Sequence, residues 1–301
     1  MKKTVKPVLA VTLALSLTGC GAWMKQTAID TASDWILPDA LTTFFDEPDY
    51  DLAKLALPSN LKLVEVLARA NPGNKSLKTL CAQMFASYGI GFVEVPQSPE
   101  KPAPAETIKR AKSFYARGMS YGLEVLPAAC RDAIDNHRLE EFSAALKALG
   151  KADLPALFWT ALNWGNLVNL SQDDPDRIAE LPFIVEMMNR VIELDESYYY
   201  GGAHLFFIVY HAGRPATLGG DPAKAKQHYE RMRALSGGKF LLGEIYYATY
   251  YAVAVQNEKL FRKTLKGVLD APSGILPGEQ LTSEIAKRKA KALLAMTQDF
   301  F

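Results

Sequence analysis

The sequence predicts an all-α protein in which antiparallel helix pairs form a degenerate tetratricopeptide-repeat-like (TPR-like) α-solenoid. Apolar residues recur at helical spacing through most of the 301-residue chain, and no stretch alternates apolar and polar residues as a strand would. Prolines, glycines and aspartates interrupt these segments at short intervals. Helices of roughly 10–20 residues with short connections pack against their neighbours, and repeated pairing gives a solenoid. An irregular helical bundle is the alternative.

The apolar spacing places the helices one after another along the chain. They cover residues 61–70, 77–95, 105–126, 154–170, 178–194, 199–211, 223–235, 240–255, 258–269 and 281–301. Asp174 and Asp221 each precede a proline, which is typical of a helix N-cap, whereas Gly213 and Gly237-Gly238 are typical of left-handed C-terminal caps. In the C-terminal half, one helix pair takes about 34–46 residues, the range of tetratricopeptide repeats.

The domain organisation follows from the two segments that are not predicted to be part of this helical array. The proline-rich stretch 96–104 predicts a stiff, non-helical connection. It is too short to mark a domain boundary, so residues 20–301 are expected to form a single helical domain. Residues 1–19 form a separate signal segment.

The first 19 residues have the pattern of a secretory signal peptide. Lys2, Lys3 and Lys6 precede an apolar stretch at 7–17, which is shorter than a transmembrane helix needs. Leu17-Thr18-Gly19-Cys20 resembles the bacterial lipobox, which implies cleavage before Cys20 and lipidation of that residue. We therefore expect a lipid-anchored protein facing the periplasm, on the inner leaflet of the outer membrane if the cell is Gram-negative. A plain signal peptide with an incidental cysteine is the alternative.

The composition excludes other classes of protein. Apolar residues make up 49% of the chain and charged residues 22%, as in ordinary globular proteins. The 34 basic residues nearly balance the 33 acidic ones, and loss of the signal peptide leaves 31 against 33. A nucleic-acid-binding protein would need a basic surplus, so a protein and a small molecule are the expected partners.

No catalytic or metal-binding motif is recognisable in the sequence. It has no HExxH, no Gly-x-Ser-x-Gly and no P-loop, so we expect neither an enzyme nor a cofactor. His204 and His211 lie about 10.5 Å apart along a helix, too far for one metal ion, and no metal site is predicted. Cys81 and Cys130 could form a disulfide or remain buried thiols, and their apolar helical surroundings favour thiols.

An excess of aromatic residues in the C-terminal half is the main indication of a binding site. Aromatic residues on adjacent helix positions widen the apolar arc, as the interior of a superhelix or the wall of a ligand cavity requires. Asparagines spaced by three in the helix at 154–170 add polar groups of the kind found in small-molecule sites. The ligand-binding candidates are Trp159, Asn163, Trp164, Tyr200, His204, Arg214, Tyr247 and Tyr250. Core packing would explain the same aromatic residues.

Arg214 lies in the interhelical loop 213–221, for which two interpretations remain open. The loop could be a stiff turn, or it could form a wall of the ligand opening, with Arg214 pairing with a carboxylate.

Three runs in the C-terminal half carry a resemblance to a known family: residues 194–205 (LDESYYYGGAHL), 213–225 (GRPATLGGDPAKA) and 236–248 (SGGKFLLGEIYYA). They are similar to the TatT family, the T component of TPR-containing tripartite ATP-independent periplasmic (TRAP) transport systems. The resemblance implies a periplasm-facing lipoprotein of degenerate tetratricopeptide repeats. It also implies a homotrimer that docks the solute-binding P subunit, and a partly hydrophobic channel for a small, possibly apolar organic acid.

Two functional hypotheses follow. In the first, the protein is a binding and adaptor lipoprotein that holds a small ligand near a partner solute-binding protein. In the second, it is a TPR scaffold lipoprotein of cell-envelope assembly with no small-molecule ligand. An enzyme, or a peptide-binding groove of the usual repeat kind, has less support from the sequence.

Overall fold

The computed structural model describes residues 37–301, and these residues are helical with no β-strand. The predicted signal peptide at 1–19 and the predicted lipidation site Cys20 lie outside the described residues. Within residues 37–301, none of the helices combines the length and the hydropathy that a membrane crossing requires.

The helices follow the predicted order, with three additions. The first half contains α1 (Leu37–Phe45), α2 (Tyr50–Ala70), α3 (Lys75–Tyr88), α4 (Ala105–Leu123), α5 (Ala128–Asp135) and α6 (Leu139–Leu146). The second half contains α7 (Leu154–Asn169), α8 (Pro175–Ala179), α9 (Leu181–Asp195), α10 (Tyr198–Ala212), α11 (Pro222–Leu235), α12 (Leu241–Tyr246), α13 (Glu258–Asp270) and α14 (Gln280–Ala295). The sequence pattern gave no indication of α1, α5 and α6, which are short.

The predicted helix ends are confirmed at most positions. The Asp174 and Asp221 carboxylates accept hydrogen bonds from the first free backbone N–H groups of α8 and α11. Gly237 and Gly238 have the left-handed backbone expected of C-terminal caps. The prediction for Gly213 is wrong, because its φ is −81° and the left-handed glycine of that loop is Gly219.

Two π-helical turns and one left-handed segment interrupt the α-helices. Helix α3 continues into a π-helical turn, Gly89–Val93, and α12 continues into another, Tyr247–Ala252. At the start of α10, Tyr199, Tyr200 and Gly201 have φ angles of 46°, 60° and 79°. Side chains other than glycine avoid this left-handed region, at a cost of about 1–2 kcal/mol per residue, so surrounding contacts must hold the two tyrosines there.

Helix α7 occupies the centre of the molecule and contacts α3, α4, α9 and α10. Elsewhere, consecutive helices pack together, with α2 against α3, α10 against α11 and α13 against α14. This arrangement buries large apolar side chains from every part of the described chain and leaves α7 and α10 side by side at the centre. The TPR-like solenoid remains a prediction.

The proline-rich connection and the cysteines agree with expectation. No helix forms between Val93 and Ala105, and the Ser98 hydroxyl donates to an Asp299 carboxylate oxygen at 2.9 Å, which ties the connection to the end of the chain. Cys81 and Cys130 are separate buried thiols, and burial raises the pKa of Cys81 to about 12.

Candidate functional site

A largely apolar cavity of about 360 Å³ runs along α10. Its wall is formed by α7 and α10, with contributions from α1, α14 and the π-helical turn after α3. Along α10 and its C-cap residue it extends from Gly202 to Gly213, a distance of about 16 Å at the rise of an α-helix. Its volume and composition are those of a small-molecule site.

The two ends of the cavity differ in their access to solvent. Ile178 and Leu218 line the end near Arg214 and are 42% and 66% exposed, so this end forms a mouth. At the other end, Phe45, Leu57 and Leu281 line the cavity and are buried. The cavity is therefore a pocket that opens to solvent beside Arg214.

Two of the three irregular segments line this pocket, and the third begins beside it. Gly91 and Phe92 of the first π-helical turn line it, as does Tyr246, which immediately precedes the second. Tyr199 lines it from the left-handed start of α10, where its ring packs edge-on against Trp159 with ring centroids 4.8 Å apart. Irregular helix geometry and backbone strain are concentrated at functional sites in proteins, and here a π-helical turn and a left-handed segment line the same cavity.

Arg214 is the charged residue of the wall, and its guanidinium group is held in place by Tyr210. Its Nε donates to the Tyr210 carbonyl oxygen at 2.8 Å, and its Cζ lies 3.4 Å from the centre of the Tyr210 ring. The Nη2 atom is buried and has no hydrogen-bond partner. Arg214 forms no ion pair with residues 37–301.

Two asparagines of α7 lie in the same wall. Asn169 Nδ2 donates to the Tyr250 hydroxyl at 2.9 Å, and burial raises the pKa of this tyrosine to about 12, so it stays protonated. Asn166 Nδ2 is buried without a hydrogen-bond partner. The wall thus offers two unpaired donor groups, one from Asn166 and one from Arg214.

The closed end contains a buried carboxyl group. Thr282 lines the pocket, and its hydroxyl donates to Glu279. Burial raises the pKa of Glu279 to about 7. No Lys or Arg side chain forms an ion pair with Glu279 among residues 37–301. A second acidic group would therefore be disfavoured at this end.

The structure places two of the eight predicted ligand-binding residues, Trp159 and Arg214, in the wall of the pocket. Tyr250 lies directly behind the wall, where it contacts Asn169 and Gly213. The other five, Asn163, Trp164, Tyr200, His204 and Tyr247, do not line the pocket.

Each of these five residues has a structural partner elsewhere. Asn163 Nδ2 donates to the carbonyl oxygens of Ala82 and Trp159, within the core. The indole N–H of Trp164 donates to Glu180, and the Tyr200 ring stacks on Phe240. Tyr247 stacks on Tyr229 and Tyr251, and His204 contacts His228 and Glu196. These contacts account for the burial of the five side chains, and their role in ligand binding stays a prediction.

Sequence reasoning missed several wall residues that neighbour the predicted ones. The missed residues are Asn166, Asn169, Tyr199, Phe206, Tyr210 and Tyr246. The asparagine spacing in α7 and the aromatic pairs were visible in the sequence. What the sequence did not show is which member of each pair faces inward, because α7 and α10 are apolar on most of their circumference.

Comparison with known proteins identifies the family. The profile of the TRAP transporter T-component family matches residues 46–301. The chain belongs to this family. Its members are auxiliary components of TRAP transporters, and the family is not one of enzymes. The chain is also similar to an "Uncharacterized protein" of Treponema pallidum (strain Nichols), with 25% identity over all of this chain and 99% of the relative.

We expect Tyr250→Phe to destabilise the protein by about 1 kcal/mol, because the Asn169 amide loses its acceptor inside the wall. Urea denaturation followed by circular dichroism measures this. Tyr200→Phe is the control, because the Tyr200 ring stacks on Phe240 and keeps that contact without the hydroxyl. Equal stability of the two variants would contradict the role assigned to the Tyr250 hydroxyl.

Proposed function

We propose that this T component is a lipoprotein anchored through Cys20 in the periplasm, where it assists TRAP-type uptake by binding both a solute-binding P subunit and a small, partly hydrophobic ligand. The ligand occupies the pocket between α7 and α10. The working unit is a homotrimer of TPR-like subunits, each with its own pocket. Catalysis has no part in this role.

The observation that carries the ligand-binding part is that two irregular segments, the first π-helical turn and the left-handed start of α10, line one apolar pocket. A scaffold needs no such pocket, and a strained backbone that lines a cavity has to be maintained by selection for something other than stability. The volume of about 360 Å³ suits a ligand smaller than a peptide. Family membership supports the TRAP partner.

The scaffold hypothesis remains the second candidate because α2 has an exposed apolar stripe. Leu52, Leu55, Leu63 and Val66 are each more than half exposed and lie on one side of this helix. Such a stripe is typical of a protein-protein contact. Both hypotheses therefore require a protein partner, and only the first requires a ligand.

The proposed partner is testable with the TRAP solute-binding subunit encoded beside this protein. We expect the mature chain, residues 20–301 with Cys20→Ser to prevent acylation, to bind that subunit with a Kd of tens of micromolar or tighter. Isothermal titration calorimetry measures this, with a solute-binding protein of an unrelated ABC transporter as control. Absence of binding to the TRAP subunit at hundreds of micromolar would overturn the adaptor role.

A further inference from the structure

Helix α2 has an apolar outer face that the rest of residues 37–301 leaves uncovered. Leu52, Leu55, Leu63 and Val66 occupy positions i, i+3, i+11 and i+14, so they lie within an arc of about 80° and form a stripe (the α2 stripe) about 21 Å long. Their exposed fractions are 53%, 78%, 58% and 60%. The buried side of α2 packs against α3 and α14. An exposed stripe of this kind contacts either a protein or a membrane.

Positively charged side chains border the stripe. Lys62 and Arg69 each lie one helical turn from Val66, and both side chains are more than half exposed. Together with Arg117 of α4, they pair with the buried carboxylate of Glu65. Three cations thus share one carboxylate, which leaves a surplus of two positive charges beside the C-terminal half of the stripe.

The N-terminal half of the stripe does not cancel this surplus. Asp51 lies beside Leu52, and Arg288 of α14 pairs with it at 3.1 Å. Asp49 uses its carboxylate to cap the first turn of α2, and the exposed Lys54 lies within the same part of the helix. The charges around this half therefore nearly balance, whereas those around the other half are positive.

An anionic lipid surface fits both the stripe and the cations. Helices of this type lie in the membrane interface with their apolar face among the head groups, while flanking Lys and Arg side chains attract anionic lipids. The proposed acyl group on Cys20 adds proximity, because Leu37 begins α1 only 17 residues later, a tether of at most about 60 Å. A contact on such a tether forms without high affinity of its own.

We propose that α2 is an interfacial helix, whose stripe inserts among the head groups of an anionic membrane while Lys62 and Arg69 contact the lipid phosphates. The proximity to the membrane rests on the proposed anchor at Cys20, but the contact itself needs no acyl group. It would hold the folded chain in one orientation on the membrane, where a tether alone would leave it free to rotate.

The test uses the mature chain with Cys20→Ser, so that binding reports on the folded chain without an acyl group. Cosedimentation with sucrose-loaded vesicles compares phosphatidylcholine alone with phosphatidylcholine that contains about 30% phosphatidylglycerol. We expect at least about fivefold tighter binding to the anionic vesicles, the effect of one basic residue at such a surface. Raising NaCl from about 0.1 M to about 0.5 M should abolish this preference. Equal binding to both vesicles, or binding to neither, would overturn the proposal.

Substitutions in the stripe assign the apolar part of the contact. Leu55→Ser combined with Leu63→Ser should weaken binding to the anionic vesicles at least about tenfold, because two leucines no longer leave water. Val255→Ser combined with Leu269→Ser is the matched control, since these are exposed apolar residues at the two ends of α13. Circular dichroism verifies folding. An equal loss of binding in both variants, or in neither, would contradict the role of the stripe.

Substitution of one cation assigns the electrostatic part. Arg69→Gln should weaken binding to the anionic vesicles about fivefold and leave binding to phosphatidylcholine unchanged. The fold tolerates this change because Arg117 still pairs with Glu65 at 2.8 Å. Lys263→Gln, at an exposed site on α13, is the control and should have no effect. Equal effects of the two substitutions would remove the assignment of Arg69 to the lipid contact.

Two further measurements detect a different occupant of the stripe. Sedimentation velocity compares the mass of the Leu55→Ser, Leu63→Ser variant with that of the wild type, and calorimetry compares their affinities for the TRAP solute-binding subunit. Unchanged vesicle binding, together with loss of an oligomer or of subunit binding, would overturn the lipid contact. The anchor is tested separately, by membrane fractionation of the acylated chain with and without Cys20→Ser. Failure of the anchor would overturn the proposed localisation and would not alter the vesicle result.

Discussion

Gly122→Ala is expected to destabilise the protein by roughly 3 kcal/mol. Helix α4 packs on α7 through Gly122, and an added methyl group would lie 2.0 Å from the Thr160 hydroxyl oxygen and 3.2 Å from the Thr160 Cα. The Thr160 side chain cannot rotate away without losing its hydrogen bond to the Ala156 carbonyl, 2.6 Å long and fully buried. The two helices must therefore separate, because the obstruction includes backbone.

Urea denaturation of the wild type and the variant, followed at 222 nm, measures this effect. Gly267→Ala is the matched control. Gly267 lies in α13, where an added methyl group would meet no atom within 4 Å, so the better helix propensity of alanine should stabilise the protein by about 0.5–1 kcal/mol. A Gly122→Ala variant within about 0.5 kcal/mol of the wild type would contradict the close contact of α4 and α7.

The same substitution is expected to impair the pocket. Helix α7 carries Trp159 and Asn166 in the pocket wall, and Thr160 lies between them on the face toward α4. A displacement of α7 by the new methyl group would move both wall residues relative to α10. Binding of a small apolar probe in the pocket should therefore weaken in Gly122→Ala but remain unchanged in Gly267→Ala.

Apolar spacing and capping residues were sufficient to predict most of the helices. Asp221 shows why: its carboxylate accepts from the backbone N–H groups of Ala223 and Lys224, a local interaction that depends on three neighbouring residues. The left-handed conformation of Tyr199 and Tyr200 could not be predicted in this way. Their conformation depends on contacts with Trp159 and Phe240, residues that are distant in sequence.

The candidate site was predicted only where one residue differed from its surroundings. Arg214 stands alone as a cation in an interhelical loop, so its possible role was visible in the sequence. Asn163 and Asn166 could not be told apart, because both are amides in an apolar helix. Three positions correspond to a rotation of about 300° around the helix, and this directs Asn163 toward α3 and Asn166 into the pocket.

Three histidines form a cluster between α10 and α11, outside the pocket. His204 Nδ1 lies 2.8 Å from His228 Nδ1, so one proton can bridge the pair, and His204 Nε2 lies 3.1 Å from Glu196. His211 stacks on His228 with ring centroids 5.6 Å apart. Burial lowers the pKa of all three histidines, that of His228 to about 4, and neighbouring histidines contribute to the shift of His228.

The sign of the pH effect follows from these shifts. Below pH 6.5 the unfolded chain protonates its histidines, whereas folded His228 stays neutral until about pH 4. The free energy of unfolding therefore carries the full contribution of neutral His228 above pH 6.5, and this contribution is lost as the pH falls to about 4. Glu279 acts in the opposite direction, because its raised pKa of about 7 favours the folded state as the pH falls toward 4.5. Glu196 stays ionised throughout this range because Arg231 lowers its pKa to about 2.

These opposing contributions mean that the wild-type pH profile alone does not isolate the histidine cluster, and a variant must do so. Between pH 7.5 and 4.5, the stability of His228→Asn relative to the wild type should rise by about 2–3 kcal/mol. Glu279→Gln should show the opposite trend, losing stability relative to the wild type over the same range. Urea denaturation at closely spaced pH values measures both differences, and His137→Asn, at an exposed site away from the cluster, is the control.

If the relative stability of His228→Asn is independent of pH, the cluster does not resist protonation. If it rises as expected, acidity loosens the contact between α10 and α11, and α10 is the helix along which the pocket runs.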